Sequence, residues 1–207
     1  MLSLLLLATT QLPADRAAKW EKEVAGIEAR LAKDKPAAGG VVFAGSSTIR
    51  LWPLDESFPG KGYVNVGFGG SEIRDCTHFA ARLVLPLKPK TIVFYAGGND
   101  LNSGRSPQQV ADDFAAFCKA VPDPRILFVS VRPSPKRWEL YPKEQEANRL
   151  VRAACDRDPR LRYVDAVPVM LGADGRPRPE FFVEDRLHLN AAGYKELTAV
   201  VAAAISR

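Results

Sequence analysis

Two adjacent serines, a histidine and an aspartate stand out in the 207-residue sequence. The stretch "FAGSST" ends an apolar run on Gly45-Ser46-Ser47, and far downstream "EDRLHLN" sets Asp185 three residues before His188. A serine hydroxyl is a weak nucleophile until a base removes its proton, and histidine is the usual base near neutral pH. The Asp-x-x-His spacing lets one loop carry both groups, so that the carboxylate fixes the imidazole tautomer and balances its charge. Between these blocks lie "NVGFGGSE" and "GGND". The first offers backbone N–H groups in a glycine-rich turn, and Asn99 in the second offers a neutral side-chain amide. Donors of this kind meet the oxyanion formed in acyl transfer.

Each piece also has a plainer reading. Ser46 and Ser47 could cap a helix, Asp185 and His188 could sit in an acidic loop before a helix cap, and Asn99 could close an Asx turn. Asp100 reads as a turn or cap partner, and His78, off the apolar stripe of its helix, as a surface histidine. A phosphate-binding loop is the rival for the glycines. However, Gly67, Gly69 and Gly70 do not match G-x-G-x-x-G, and no Walker lysine follows.

The elements around these residues form a pattern. Val41–Ala44, Tyr63–Val66, Thr91–Gly97, Arg125–Val131 and Leu161–Val167 are short apolar runs that read as buried strands. Helical spacing joins Trp20, Val24, Ile27 and Leu31, then Ile73, Cys76, Ala80, Leu83 and Val84, then Val110, Phe114, Phe117 and Val121. Ser106-Pro107-Gln108-Gln109 has the form of a capping box with proline at the first helical position. A further helix is expected over 142–156, and a last one, capped by Asn190, carries Leu197, Val200, Val201 and Ile205. Strands separated by helices imply an α/β protein: a three-layer α/β/α sandwich around a five-stranded, mostly parallel sheet of flavodoxin-like type. Ligands in such sheets bind beyond the carboxyl ends of the strands, and all four blocks follow strands or enter a helix there.

Bulk properties narrow the function. The chain is 46% hydrophobic and 26% charged with a net charge of +5, a composition suited to a globular core. Its lysines and arginines are scattered, with no basic block interleaved with aromatics, so nucleic acid is not an expected partner. Cys76, Cys118 and Cys155 form no CxxC pair, and only two histidines are present, so no metal site is expected. Residues 1–14, "MLSLLLLATTQLPA", resemble the apolar and cleavage regions of a secretory signal peptide, although no Lys or Arg precedes the run. Export to the periplasm or exterior is the expectation; a cytoplasmic chain whose apolar start packs on the domain is the alternative. Residues 15–40 read as an N-terminal helix and linker, and 41–207 as one domain. No stretch is long enough for stable membrane insertion.

The order of the four blocks is more specific than any one of them. From about Val41 to its end the chain resembles the SGNH hydrolases, the GDSL esterase/lipase family: "FAGSST" with Ser47, "NVGFGG" with Gly70, "GGND" with Asn99 and "DRLH" with Asp185 and His188. It is most similar to bacterial members with a GSS-type first block. The resemblance implies Ser47 as nucleophile, His188 as base and Asp185 as its orienting carboxylate. It also implies an oxyanion hole from the Ser47 and Gly70 N–H groups and the Asn99 amide. Neither metal nor organic cofactor is implied. Ser46 stands where many relatives carry aspartate. The implied activity is hydrolysis of small-molecule or carbohydrate esters, with a short acyl group such as acetyl on a sugar or lipid-like alcohol. The alternative is an inactive scaffold that only binds a carbohydrate or partner. "SPKRWELYP" (Ser134–Pro142) is expected to wall the site, with Arg137 and Trp138 as candidates for substrate contact or, for Trp138, as a loop anchor.

Overall fold

A computed structural model describes residues 12–207. Most of the expected leader thus lies outside the described residues. Five strands, β1 (Val41–Gly45), β2 (Val64–Asn65), β3 (Thr91–Tyr95), β4 (Arg125–Val129) and β5 (Leu161–Val164), form one sheet in the order β2-β1-β3-β4-β5. Every pairing is parallel, and the order is the flavodoxin-like one.

The helices are α1 (Ala14–Asp34), α2 (Ser47–Arg50), α3 (Leu54–Ser57), α4 (Ile73–Leu83), α5 (Gly98–Asn102), α6 (Pro107–Ala120), α7 (Tyr141–Cys155), α8 (Val167–Met170) and α9 (Ala191–Ile205). Alternation along the strands assigns them to layers. Val42, Ala44, Ile92, Phe94, Ile126 and Phe128 face α1, α4, α6 and α7, whereas Phe43, Val93, Tyr95, Leu127 and Val129 face α3, α8 and α9. With both faces covered, the strands read as unbroken apolar runs. Phe94 stacks on Phe117 with centroids 4.1 Å apart at the centre of the first layer, and Phe114 packs edge-on against Phe128. All three cysteines are buried and unbridged. No described helix is long and apolar enough to cross a membrane.

Helix α1 belongs to the sandwich. Trp20, Val24 and Ile27 enter the core, and the Arg16 guanidinium donates to both oxygens of the buried Asp75 carboxylate at 2.7 Å each. The expected capping box opens α6: Gln109 N–H donates to Ser106 Oγ, and Gln109 Oε1 accepts from Ser106 N–H.

Several strands end earlier than their apolar runs, for identifiable reasons. Gly97, at φ +117°, turns the chain off β3 into α5. Beyond β4, Val131 is met by a side chain in place of a neighbouring strand: it donates to Asn148 Oδ1 at 2.8 Å and accepts from Asn148 Nδ2 at 2.7 Å. Past β5, Ala166 N–H donates to Ser130 Oγ. β1 ends on Gly45, where φ is +138° and a Cβ would lie 2.0 Å from the Tyr95 carbonyl oxygen. Only glycine fits there.

Candidate active site

The sharp exit at Gly45 puts Ser46 N–H on the Tyr95 carbonyl at 2.9 Å and starts α2 at Ser47, half-exposed at the carboxyl rim of the sheet. His188 comes to it from the other end of the chain, with Nε2 3.1 Å from Ser47 Oγ. On the far side of the ring, His188 Nδ1 is 2.5 Å from Asp185 Oδ2. Facing a carboxylate, Nδ1 carries the proton, which leaves the Nε2 lone pair toward the serine.

The Asp185–His188 turn is self-supporting. Asp185 Oδ1 accepts from the Leu187 and His188 N–H groups at 2.8 and 2.9 Å, and Val183 N–H donates to the His188 carbonyl. Partial burial opposes ionisation of Asp185, but the bonds from the His188 backbone, the His188 ring and the Leu187 N–H outweigh it and hold the carboxyl down to about 2. Asn190 Oδ1 then accepts from Gly193 N–H and opens α9.

The opposite wall is built from distant pieces. In the loop after β2, Gly67 N–H donates to Asn65 Oδ1, and Asn65 Nδ2 donates to the Ile49 carbonyl. The same loop leans on α1: Gly69 N–H donates to Glu23 Oε1 at 3.0 Å, and the Trp20 ring lies 3.4 Å from where a Gly70 Cβ would sit. Gly70 itself has φ +75°. Among the described residues, neither Ser47 N–H nor Gly70 N–H has a hydrogen-bond partner. Asn99, on α5, donates through Nδ2 to the Ser71 carbonyl at 3.0 Å, and its Oδ1 accepts from Arg137 Nη1 at 3.1 Å. Asp100, expected as a cap, does cap a helix, but a remote one: its Oδ1 accepts from Ile73 N–H at the start of α4. Burial pushes its carboxyl up to about 7, only partly countered by that bond.

A cavity of ≈ 30 Å³ opens beside Ser47 and His188, its floor formed by Tyr95, Asn99, Arg132, Arg137 and Glu144. A wider hollow of ≈ 770 Å³ lies off the edge strand β2 and shares no residue with the serine site. Of the wall expected from "SPKRWELYP", Trp138 is a loop anchor stacked on Tyr141, whereas Arg137 turns inward to Asn99. His78 is exposed, and Trp52 is a core residue bonded to Ser57 and Thr198.

The sequence reading missed Glu144 and gave Arg132 no role beyond a place on the rim after its strand. Arg132 Nη2 donates to Thr48 Oγ1 and to the Leu187 carbonyl, and so ties the serine helix to the histidine loop. Glu144 is 2% exposed, its Oε2 has no partner among the described residues, and burial pushes the carboxyl up to about 8 against the pull of Arg132 and Arg137. A signal for Glu144 was present: it shares a helical stripe with Ala147, Val151 and Cys155, where a carboxylate is out of place.

Among known proteins, the profile of the GDSL-like lipase/acylhydrolase family matches residues 48–196. The chain belongs to that family. The enzyme is a hydrolase of the SGNH/GDSL ester-cleaving type. It is 31% identical to platelet-activating factor acetylhydrolase IB subunit alpha1 of Pongo abelii, over 74% of this chain and 70% of that one. The fold is similar to that of a GDSL-like lipase from Bacteroides thetaiotaomicron, with a TM-score of 0.72 and 21% identity over 92% of this chain and 97% of the other. It is also similar to that of an acetyl-xylooligosaccharide esterase variant from Geobacillus, with a TM-score of 0.65 and 15% identity over 84% and 97%.

Proposed function

We propose that the enzyme hydrolyses short-acyl carboxylic esters, acetyl esters first among them, through an acyl-enzyme on Ser47. The observation that carries this reading is the continuous chain Ser47 Oγ, His188 Nε2, His188 Nδ1, Asp185 Oδ2. As Ser47 Oγ attacks the ester carbonyl carbon, His188 Nε2 takes its proton, and Asp185 balances the imidazolium. The carbonyl oxygen becomes an oxyanion facing the Ser47 and Gly70 N–H groups and the Asn99 amide. The bond to the alcohol oxygen then breaks, and His188 returns the proton to the departing alcohol. Water attacks the acyl-serine with the same proton transfers in order, releasing the acid and restoring Ser47.

The narrow cavity beside Ser47, ≈ 30 Å³, supports a short acyl group. The names of two similar proteins, an acetylhydrolase and an acetyl-xylooligosaccharide esterase, point the same way. A sugar or lipid-like alcohol is the proposed leaving group.

Hydrolysis of p-nitrophenyl acetate, butyrate and octanoate by wild type and Ser47→Ala tests the reading. The expected result is a fall in kcat with acyl length and a loss on the order of 10⁶-fold in the variant, with an unchanged circular dichroism spectrum. A folded Ser47→Ala protein that keeps most of its esterase activity would end the assignment. If wild type neither cleaves these esters nor reacts with a fluorophosphonate, the scaffold binds without cutting.

A further inference from the structure

Asn99 poses a problem of orientation. The two ends of a carboxamide are nearly the same shape, yet only the nitrogen end can stabilise an oxyanion. The surroundings settle which end faces which way. The Ser71 carbonyl, which can only accept, is 3.0 Å from Nδ2. The Arg137 guanidinium, which can only donate, is 3.1 Å from Oδ1 and also donates to the Gly98 carbonyl at 3.2 Å. A flipped Asn99 would set NH₂ against a cation and oxygen against oxygen. One Nδ2 hydrogen is used by Ser71, and the second is left for the reacting carbonyl.

We propose that Arg137 is a positioning residue for the oxyanion hole: it locks the Asn99 carboxamide nitrogen-forward and polarises it, so that its free N–H donates more strongly to the developing oxyanion. The inference rests on the esterase reading above, in which Asn99 is an oxyanion donor. A cation on the oxygen end of an amide draws electron density from the nitrogen, and hydrogen bonds in a dry site reinforce one another. Arg137 is suited to the task because its backbone is fixed, with its N–H donating to Ser134 Oγ and to the Ser134 carbonyl at the start of the turn between β4 and α7. The charged groups facing it are Glu144 on α7 and Arg132 after β4, with the Tyr95 hydroxyl on β3. Glu144, buried with no partner for Oε2 among the described residues, lines the same floor as the two guanidiniums.

The test is a double-mutant cycle on p-nitrophenyl acetate, with Arg137→Met, Asn99→Ala, the double variant and Arg137→Lys, each checked for wild-type circular dichroism. Asn99→Ala is expected to lower kcat by 10²- to 10³-fold, the cost of losing one oxyanion donor. Arg137→Met should lower kcat by roughly 10- to 100-fold with KM within about threefold of wild type, as expected when a catalytic group is misplaced. Arg137→Lys should recover part of that loss. In the Asn99→Ala background, Arg137→Met should cost nothing further. Multiplying losses in the double variant, or an effect of Arg137→Met on KM alone, would overturn the proposal. If Arg137→Met does not fold, the Arg137→Lys cycle is read by the same criterion. Failure of the esterase reading is separately visible, because Ser47→Ala would then stay active.

Discussion

The two walls of the candidate active site are built by opposite strategies. The His188 wall is local and wet: Asp185 and His188 lie three residues apart, their side chains are 39% and 28% exposed, and the turn supplies its own hydrogen bonds. The Asn99 wall is assembled from α1, the loop after β2, α5 and the turn after β4, and behind it lie fully buried carboxyls at Asp75 and Asp100. A proton carrier needs a correct tautomer and a carboxylate beside it, which a short turn can provide. An oxyanion hole needs rigid donors on three segments aimed at one point, and only packing can hold them there.

That contrast can be broken at its strongest point first. Asp185→Asn preserves an oxygen for the Leu187 and His188 N–H groups but presents the wrong partner to Nδ1. The expected loss in kcat is on the order of 10⁴-fold with little change in Tm. A stopped-flow or steady-state assay showing less than tenfold loss would mean that His188 does not depend on the carboxylate.

On the other wall, Glu23→Ala removes the acceptor of Gly69 N–H from a helix far from the chemistry. We expect a severalfold drop in kcat and a loss of about 1 kcal/mol in denaturant stability, the usual worth of one such bond. The Arg50 ion pair lost with it, at 3.7 Å and half exposed, adds little. An unaltered kcat would show that α1 supports the fold but not the donor geometry.

The smallest effect, and the most diagnostic of the difference, is pH. Asp185 is held down to about 2, below the unfolded carboxylate value of about 4, so its contribution is present above pH 4 and lost as pH falls toward 2. Asp100 and Glu144 are pushed up to about 7 and about 8 by burial. Their contribution has the opposite sign: it is complete below pH 4 and lost as pH rises through 7 and 8. Thermal melts from pH 4 to 9 should show stability declining toward the alkaline end, with a shallower slope in Asp100→Asn and in Glu144→Gln. Equal slopes in wild type and both variants would refute the assignment of these two groups.

The same contrast explains what could be read from the chain. The short continuous apolar runs and the helical spacing pointed to the sandwich and its helices, because a parallel sheet covered on both faces buries every strand residue and each covering helix buries one stripe. Strand ends were overrun at Val131 and Ala166, where Asn148 and Ser130 side chains take over the backbone bonds. Asp185 and His188 were legible as a candidate pair from their three-residue spacing, and Ser47 and Asn99 from the order of the four blocks that resembles the SGNH hydrolases. Arg132 and Glu144 were not singled out, and Arg137 was placed on the substrate wall. An arginine declares nothing about whether it will meet solvent, substrate or a carboxamide until the loop carrying it has been folded over.

The sequence alone therefore determined the layers, the rim that carries the candidate site and the groups proposed to exchange a proton. It did so because periodicity and short-range hydrogen bonding are properties of neighbouring residues. Tertiary structure decided which end of Asn99 faces the site, what supports the Gly67–Gly70 turn, and how much room lies beside Ser47. Those depend on contacts such as Glu23 with Gly69 and Arg137 with Asn99, across 46 and 38 residues of chain, which no local pattern encodes.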